Sequence, residues 1–251
     1  MLATLFRLDG KRALVTGAGR GLGARMATAL AAAGAHVTLI ARNADEIEHV
    51  GNAIIAQGGA AATATLDVTH ATELNAFFAA QSPFNVLVNN AGTNRPAPLV
   101  ETEDADIEAV FKLNVMAAFR MAREVARGLI AHRQPGSIIN VSSQMGHVGA
   151  VNRTVYCASK HAIEGMTKAL AWELGPHNIR VNSLCPTFIE TPLTAPMLAK
   201  PEFREWVVGN IALKRVGRED EVAGPVVFLA SEASSLMTGS ALMIDGGWTA
   251  R

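Results

Sequence analysis

The chain has 251 residues, a length that suits one α/β domain with a substantial core and leaves little for a second. Lys plus Arg and Asp plus Glu stand at 22 each, so no net field draws the chain to nucleic acid or an anionic membrane, and small molecules are the expected partners. No apolar run reaches the about 18 residues that cross a bilayer, and residues 1–9, broken by Arg7, do not read as a signal peptide, so a soluble cytoplasmic protein is expected.

In chain order, residues 11–16 carry the apolar run Ala13-Leu14-Val15 and lead into Gly17-Ala18-Gly19-Arg20-Gly21-Leu22-Gly23 and then the alanine-rich stretch 24–33. The pattern reads as a strand, a glycine turn and a helix. Glycines at 17, 21 and 23 allow a tight turn and close backbone approach, and the fresh helix end offers unpaired N–H groups to a pyrophosphate. The next strand, 36–41, ends where a dinucleotide site usually places an acid on the ribose 2′-hydroxyl, but here Ala41 is followed by Arg42. With no carboxylate to repel it, a 2′-phosphate could pair with Arg42 and with Arg20, which favours NADP(H) over NAD(H). Arg42 could equally be a solvated arginine at a strand end.

A helix over 45–57 precedes a third strand, 60–68, ending at Asp67, whose carboxylate could hydrogen-bond an adenine amino group or equally cap the following helix, with Val68 beside it as a cofactor contact. Residues 85–88 form a short buried strand running into Asn89-Asn90-Ala91-Gly92, small enough to let a ligand lie against the backbone. Residues 103–132 are largely helical, with Asn114 inside the helix, and 137–143 form a fifth strand that brings Ser142 and Ser143 to the sheet edge. The helix 153–174 carries the only tyrosine, Tyr156, one turn before Lys160. A fixed ammonium beside a phenol favours the phenolate, so the pair suits proton transfer. A sixth strand, 179–184, opens a proline-containing excursion over 187–216, read as a substrate lid. A helix over 219–230 and a strand over 241–244 close the pattern. Strands alternating with helices predict a parallel sheet covered on both faces, with ligands at its carboxyl edge.

Cys157 and Cys185 have neither metal nor redox spacing and read as reduced thiols, and the seven histidines make no recognisable ligand pattern, so no metal is expected.

Taken together, Thr16-Gly17 with Gly21-Leu22-Gly23, the segment 89–92, Asn114, Ser143 and Tyr156 with Lys160 resemble the short-chain dehydrogenase/reductase family over essentially the whole chain. The resemblance implies a single Rossmann-like domain, 1–251, with a doubly wound parallel seven-stranded sheet, and hydride transfer between a nicotinamide cofactor and a carbonyl or alcohol. It implies that Tyr156 exchanges the hydroxyl proton, Lys160 lowers its pKa and binds the nicotinamide ribose, Ser143 bonds the reacting oxygen, and Asn114 holds a water leading from Lys160 to solvent. Further cofactor contacts would come from Asn90, Ala91, Gly92, Pro186, Ile189 and Thr191. The family usually has Pro-Gly after the sixth strand, whereas this chain has Pro186-Thr187; threonine does not adopt glycine's positive φ cheaply, so a different local backbone or pocket wall is expected. A homotetramer built on the long helices and the segment 243–248 is also implied.

Asn94, Arg95, Gln144, His147, Asn152, Arg153, Phe188, Glu190, Leu193 and Trp206 are expected to face the substrate. Several are polar, which suits a hydroxylated molecule such as a sugar, sugar acid or polyol. The alternative is a 3-oxoacyl thioester on an acidic carrier protein, which Arg120, Arg123 and Arg127 could meet from one helix face. A non-catalytic nucleotide sensor is the alternative from another class.

Overall fold

Residues next to one another along a strand enter different apolar layers. Ala13, Val15, Val86, Val88, Ile139 and Val141 pack on one side, and Leu14, Leu87 and Ile138 on the other. A strand buried on both faces must be apolar throughout, and only a helix layer on each side can cover it. The computed structural model describes residues 2–250 and shows this sandwich. Strands β1 (Arg12–Thr16), β2 (His36–Ala41), β3 (Ala60–Thr65), β4 (Val86–Asn89), β5 (Gly136–Val141), β6 (Ile179–Pro186) and β7 (Ala241–Ile244) form one parallel sheet in the order 3-2-1-4-5-6-7.

Helices α1 (Gly21–Ala32) and α2 (Ala44–Ala56) cover the first face through Met26, Leu30, Ile47 and Ile54. Helix α3 (Ala71–Ala79), the long helix α4 over 104–131 and α5 (Thr154–Leu174) cover the second through Leu74, Met121, Val125, Leu129 and Leu174. Helix α6 (Pro201–Asn210) lies in the excursion, and α7 (Ala223–Ala230) returns Val226 and Leu229 to the first face. Each fully buried Leu or Ile of these layers contributes about 1.5–3 kcal/mol of transfer free energy.

Chain order reverses between β1 and β4. Strands β1 to β3 run outward one way, the chain crosses back, and β4 pairs with β1 on its other side, Val15 opposite Val88. The crevice at the carboxyl ends of these two strands is the ligand position of such sheets.

The excursion holds more order than its sequence suggests. It contains a short helix, Ala195–Leu198, then α6 with Pro201 in its first turn, and the two-residue strands Ile189–Glu190 and Gly217–Arg218 pair across its base. The expected helix 219–230 begins as a 3₁₀ turn, Glu219–Val222, before α7. No helix among the described residues is long and apolar enough to cross a membrane.

Candidate active site

The glycine turn is fixed to the segment after β4 by side chains that cross the crevice. Thr16 Oγ1 accepts from the backbone N–H groups of Asn90 and Ala91, both at 3.0 Å. Asn90 Nδ2 donates back to the carbonyls of Thr16 and Gly17 at 3.0 and 3.1 Å. The amide of Asn90 therefore holds the turn and leaves ligand contact to the backbone. Gly17 has φ +62°, and a Cβ there would stand 3.0 Å from both Ala91 Cα and Asn90 Nδ2. Gly21, φ +56°, opens α1 beneath Thr191, whose Cβ is 3.7 Å from the place a Gly21 Cβ would take. Leu22 packs against the first apolar layer, and Val68 is buried in the second.

At the β2 end, Arg20 Nη1 lies 3.6 Å from Glu46 Oε1, and Arg42 is exposed nearby with its charge felt at Asp67. Asp67 Oδ1 accepts from Thr69 N at 2.8 Å, which occupies one carboxylate oxygen in the turn before α3. The chain fits a dinucleotide at this edge. The glycines leave room that side chains would fill, the N-terminus of α1 is not capped by the side chain of Arg20, and Thr187 Oγ1 is buried without a partner among the described residues. Thr187 has no positive φ, so its backbone takes no conformation reserved for glycine. Pro186 ends β6 opposite Ile244, and Ile189 is buried in the first layer.

Four polar residues meet at the carboxyl ends of β4 and β5. Asn114 sits in a π-helical turn, Lys112–Ala117, that widens α4 in its middle. Its amide is buried, accepts from Thr93 N at 2.8 Å and donates to Thr93 O at 3.0 Å and Ser159 Oγ at 3.1 Å. A methyl group built on Gly92 would stand 3.3 Å from Asn114 Oδ1 and 3.8 Å from Lys160 Nζ, so both side chains border the same space. Lys160 is 5 % exposed, donates to Val141 O at 2.8 Å and holds its Nζ 5.5 Å from the Tyr156 ring centroid.

Burial pushes the Tyr156 phenol up to about 12, while the Ser143 hydroxyl pulls it the other way. Burial also pulls Lys160 down to about 8, against the opposing pull of Cys185 and Glu164. The phenol thus moves opposite to the direction a neighbouring ammonium alone would give, because desolvation outweighs the charges around it. Ser143 and Ser142 face different ways, as neighbours on a strand edge do. Ser143 Oγ donates to Gln144 Oε1 at 2.7 Å and accepts from Met145 N at 3.1 Å.

Beside Tyr156 lies a cleft of about 400 Å³ whose lining includes Met145, Asn152, Arg153, Phe188, Lys200 and Trp206. Its outer wall is an aromatic cluster: Phe188 to Trp248 is 5.8 Å between ring centroids, Trp206 to Trp248 5.5 Å and Phe203 to Trp206 5.7 Å. Phe203 lines the cleft and Trp248 packs behind Phe188 and Trp206, although nothing in their sequence context marks them for it. Arg153 is partly desolvated and reaches Met197 Sδ at 3.8 Å. Among the described residues Asn94 Oδ1 is buried without a partner, whereas Arg95 leans on Asp106 at 3.8 Å. Glu190 pairs with Arg204 at 2.8 Å, and Leu193 is exposed. His147 turns its Nε2 away, toward Glu164 and Cys185.

The profile of the family described as enoyl-(acyl carrier protein) reductase matches residues 17–249. A gluconate 5-dehydrogenase of Gluconobacter oxydans (strain 621H) is 38 % identical over 98 % of this chain and 97 % of its own. A galactitol 2-dehydrogenase (L-tagatose-forming) of Cereibacter sphaeroides is 39 % identical, with 98 % of each chain covered. The crystal structure of a gluconate 5-dehydrogenase from Burkholderia cenocepacia J2315 in complex with NADP and tartrate superposes with a TM-score of 0.95 at 34 % identity, covering 100 % of both chains. Likeness that runs from end to end, in sequence and in backbone, onto a crevice built this way leaves one conclusion: the chain belongs to the short-chain dehydrogenase/reductase family, enzymes that interconvert carbonyl and alcohol groups with a nicotinamide cofactor.

Proposed function

We propose that the chain interconverts a ketone and a secondary alcohol of a sugar, sugar acid or polyol, with NADP(H) as the preferred cofactor and Tyr156 as the proton donor and acceptor. The convergence of Ser143, Tyr156, Lys160 and Asn114 around one space beside Gly92 carries this reading. Gly17, Gly21, Gly23, Ala91, Gly92, Ile189 and Thr191 would hold the dinucleotide, whose nicotinamide would supply the hydride to the carbonyl carbon or accept it from the alcohol. In reduction, Tyr156 gives its phenolic proton to the carbonyl oxygen while Ser143 donates a hydrogen bond to the same atom. Lys160 binds ribose hydroxyls and carries positive charge beside the phenolate left behind, and Asn114 sets the polar route that returns a proton to Lys160.

Arg153 and Lys200 at the cleft suit a carboxylate, and the faces of Phe188 and Trp206 suit the C–H surface of a carbon chain. Residues 187–216 act as the lid that covers the substrate. The relatives' substrates named above favour the hydroxylated class. The carrier-protein reading loses support, because Arg123 and Arg127 are both tied to Glu124, at 2.8 and 2.9 Å, and Arg120 donates to Thr69 O at 3.0 Å. Exposed Met116 and Phe119 on α4 and Trp172 on α5 favour a homotetramer packed through these helices, in the cytoplasm.

The 2′-phosphate reading is tested by Arg42→Ala. Loss of one charged contact should raise KM for NADPH about tenfold and leave KM for NADH unchanged, since about 1.4 kcal/mol is a factor of ten. An equal effect on both cofactors would remove Arg42 from the phosphate site.

The pH profile tests the proton path. Lys160, brought down to about 8, loses its proton as pH rises through that value, while Tyr156 stays protonated until far higher. Carbonyl reduction should therefore hold steady below pH 8 and fall above it, as the charge beside the departing phenolate is lost, whereas alcohol oxidation, which needs the phenolate, should climb only well above that value. A reduction rate flat to pH 10 would contradict the assignment of Lys160.

A further inference from the structure

Behind the reacting groups, three side chains far apart in sequence converge on one point: His147 after β5, Glu164 one turn beyond Lys160 on α5, and Cys185 on β6. Cys185 Sγ lies 3.6 Å from His147 Nε2 and 3.3 Å from Glu164 Oε1, and His147 Nε2 lies 3.5 Å from Glu164 Oε1. A tetrahedral zinc ion with bonds of about 2.3 Å to sulfur and about 2.0–2.1 Å to nitrogen and oxygen sets its ligand atoms about 3.3–3.6 Å apart. The three measured separations fall in that interval.

We propose that His147, Glu164 and Cys185 form a binding site for a zinc-class divalent cation. Glu164 is a 6 % exposed carboxylate that accepts from the Ser183 hydroxyl and the Cys185 thiol and feels the Lys160 charge, but among the described residues the only ionisable nitrogen within 4 Å of it is on the His147 imidazole. Buried charges are paired or coordinate metals. Ser183 Oγ donates to the other carboxylate oxygen, Oε2, at 2.9 Å and so orients the ligand from behind.

A second observation points into the same place. Ser142 Oγ, on a residue 3 % exposed, has no well-formed hydrogen bond among the described residues and lies within the influence of the Cys185 thiol. A methyl group built on Gly146 would stand 2.8 Å from Ser142 Oγ and 3.1 Å from Glu164 Cγ, which sets this hydroxyl beside the cluster as a fourth donor. The mixed sulfur, nitrogen and oxygen set selects zinc over magnesium or calcium, which take oxygen ligands. His147, with 30 % of its side chain exposed, opens the path by which an ion enters. Binding breaks the Cys185 S–H bond, forms the S–Zn bond and releases one proton to solvent; no electron moves. The ion would tie together the β5 edge, α5 and β6, the three elements that carry Ser143, Tyr156 with Lys160, and Pro186.

The test uses the full chain freed of metal by chelation. Dialysis against zinc should leave about one ion per chain with about one proton released, in the presence of excess magnesium and calcium. Cobalt(II) in the same site should show a thiolate-to-cobalt charge-transfer band and the strong visible bands of four-coordinate cobalt. Ser183→Ala should weaken zinc binding about 10–100-fold. Cys185→Ser should abolish the charge-transfer band, whereas Cys157→Ser should keep it. Wild-type protein that retains no zinc, or shows no such band, would overturn the proposal whether or not the variants fold, and so would a band that survives Cys185→Ser.

Discussion

Tyr156→Phe is expected to lower kcat about 10²–10⁴-fold in both directions while NADPH still binds, the range that one positioned acid–base group supplies. The substitution removes one oxygen from a ring that packs beside Met145 and Phe188, so the protein should stay folded. The loss should appear in kcat and kcat/KM together, as for an interaction made in the transition state. Steady-state kinetics with a NADPH fluorescence titration separates the outcomes. A Phe variant with more than a tenth of wild-type kcat would mean that another group handles the proton.

Gly23→Ala is the second large effect. A Cβ at this position would overlap the Gly17 carbonyl oxygen and stand 2.5 Å from Asn90 Nδ2. Neither neighbour can give way. The carbonyl is backbone, and the amide is held by its bonds to Thr16 O and Gly17 O. Overpacking of this kind costs about 3 kcal/mol, which lowers the thermal midpoint by roughly 6–12 °C for a domain of this size. NADPH should no longer bind saturably, because the turn that meets the pyrophosphate must deform. Gly149→Ala, with nothing within 4 Å of its Cβ, should change neither quantity. Calorimetry on both variants checks the contrast, and a Gly23→Ala protein of wild-type midpoint and affinity would show that the turn is looser than its packing indicates.

The parts of this protein that could be read from the sequence are those encoded within a few residues of themselves. The apolar runs of β1, β2, β4 and β6, the glycine turn and the Tyr156–Lys160 spacing each need only local periodicity. The turns of the chain that failed to declare themselves depend on distant partners. Asn114 reads as a residue in a regular helix, yet its place is set by a π-helical turn and by Thr93 and Ser159. The acid–base character of Tyr156 was legible, but the direction of its shift was not, because burial is a property of the assembled core. His147 carries a ring polar enough to suggest substrate contact, and only folding shows it turned to Glu164 and Cys185, residues 17 and 21 positions apart from their nearest cluster neighbours in sequence. The aromatic wall joins Phe188, Phe203, Trp206 and Trp248 from three segments, which no short window contains. Pro201 followed by Glu202 is the one local sign of α6 in the excursion, a helix start that is easily missed inside a proline-containing stretch.

The central claim is that this site reduces a hydroxylated ketone with NADPH, and the most direct measurement is the change in nicotinamide absorbance across ketoses, keto sugar acids, simple ketones and 3-oxoacyl thioesters. The account predicts the highest kcat/KM on a ketose or keto sugar acid with NADPH, and the reverse reaction on the matching polyol or sugar acid with NADP. Turnover confined to the thioesters, or none on any member of the panel by a protein that binds NADPH, would contradict it.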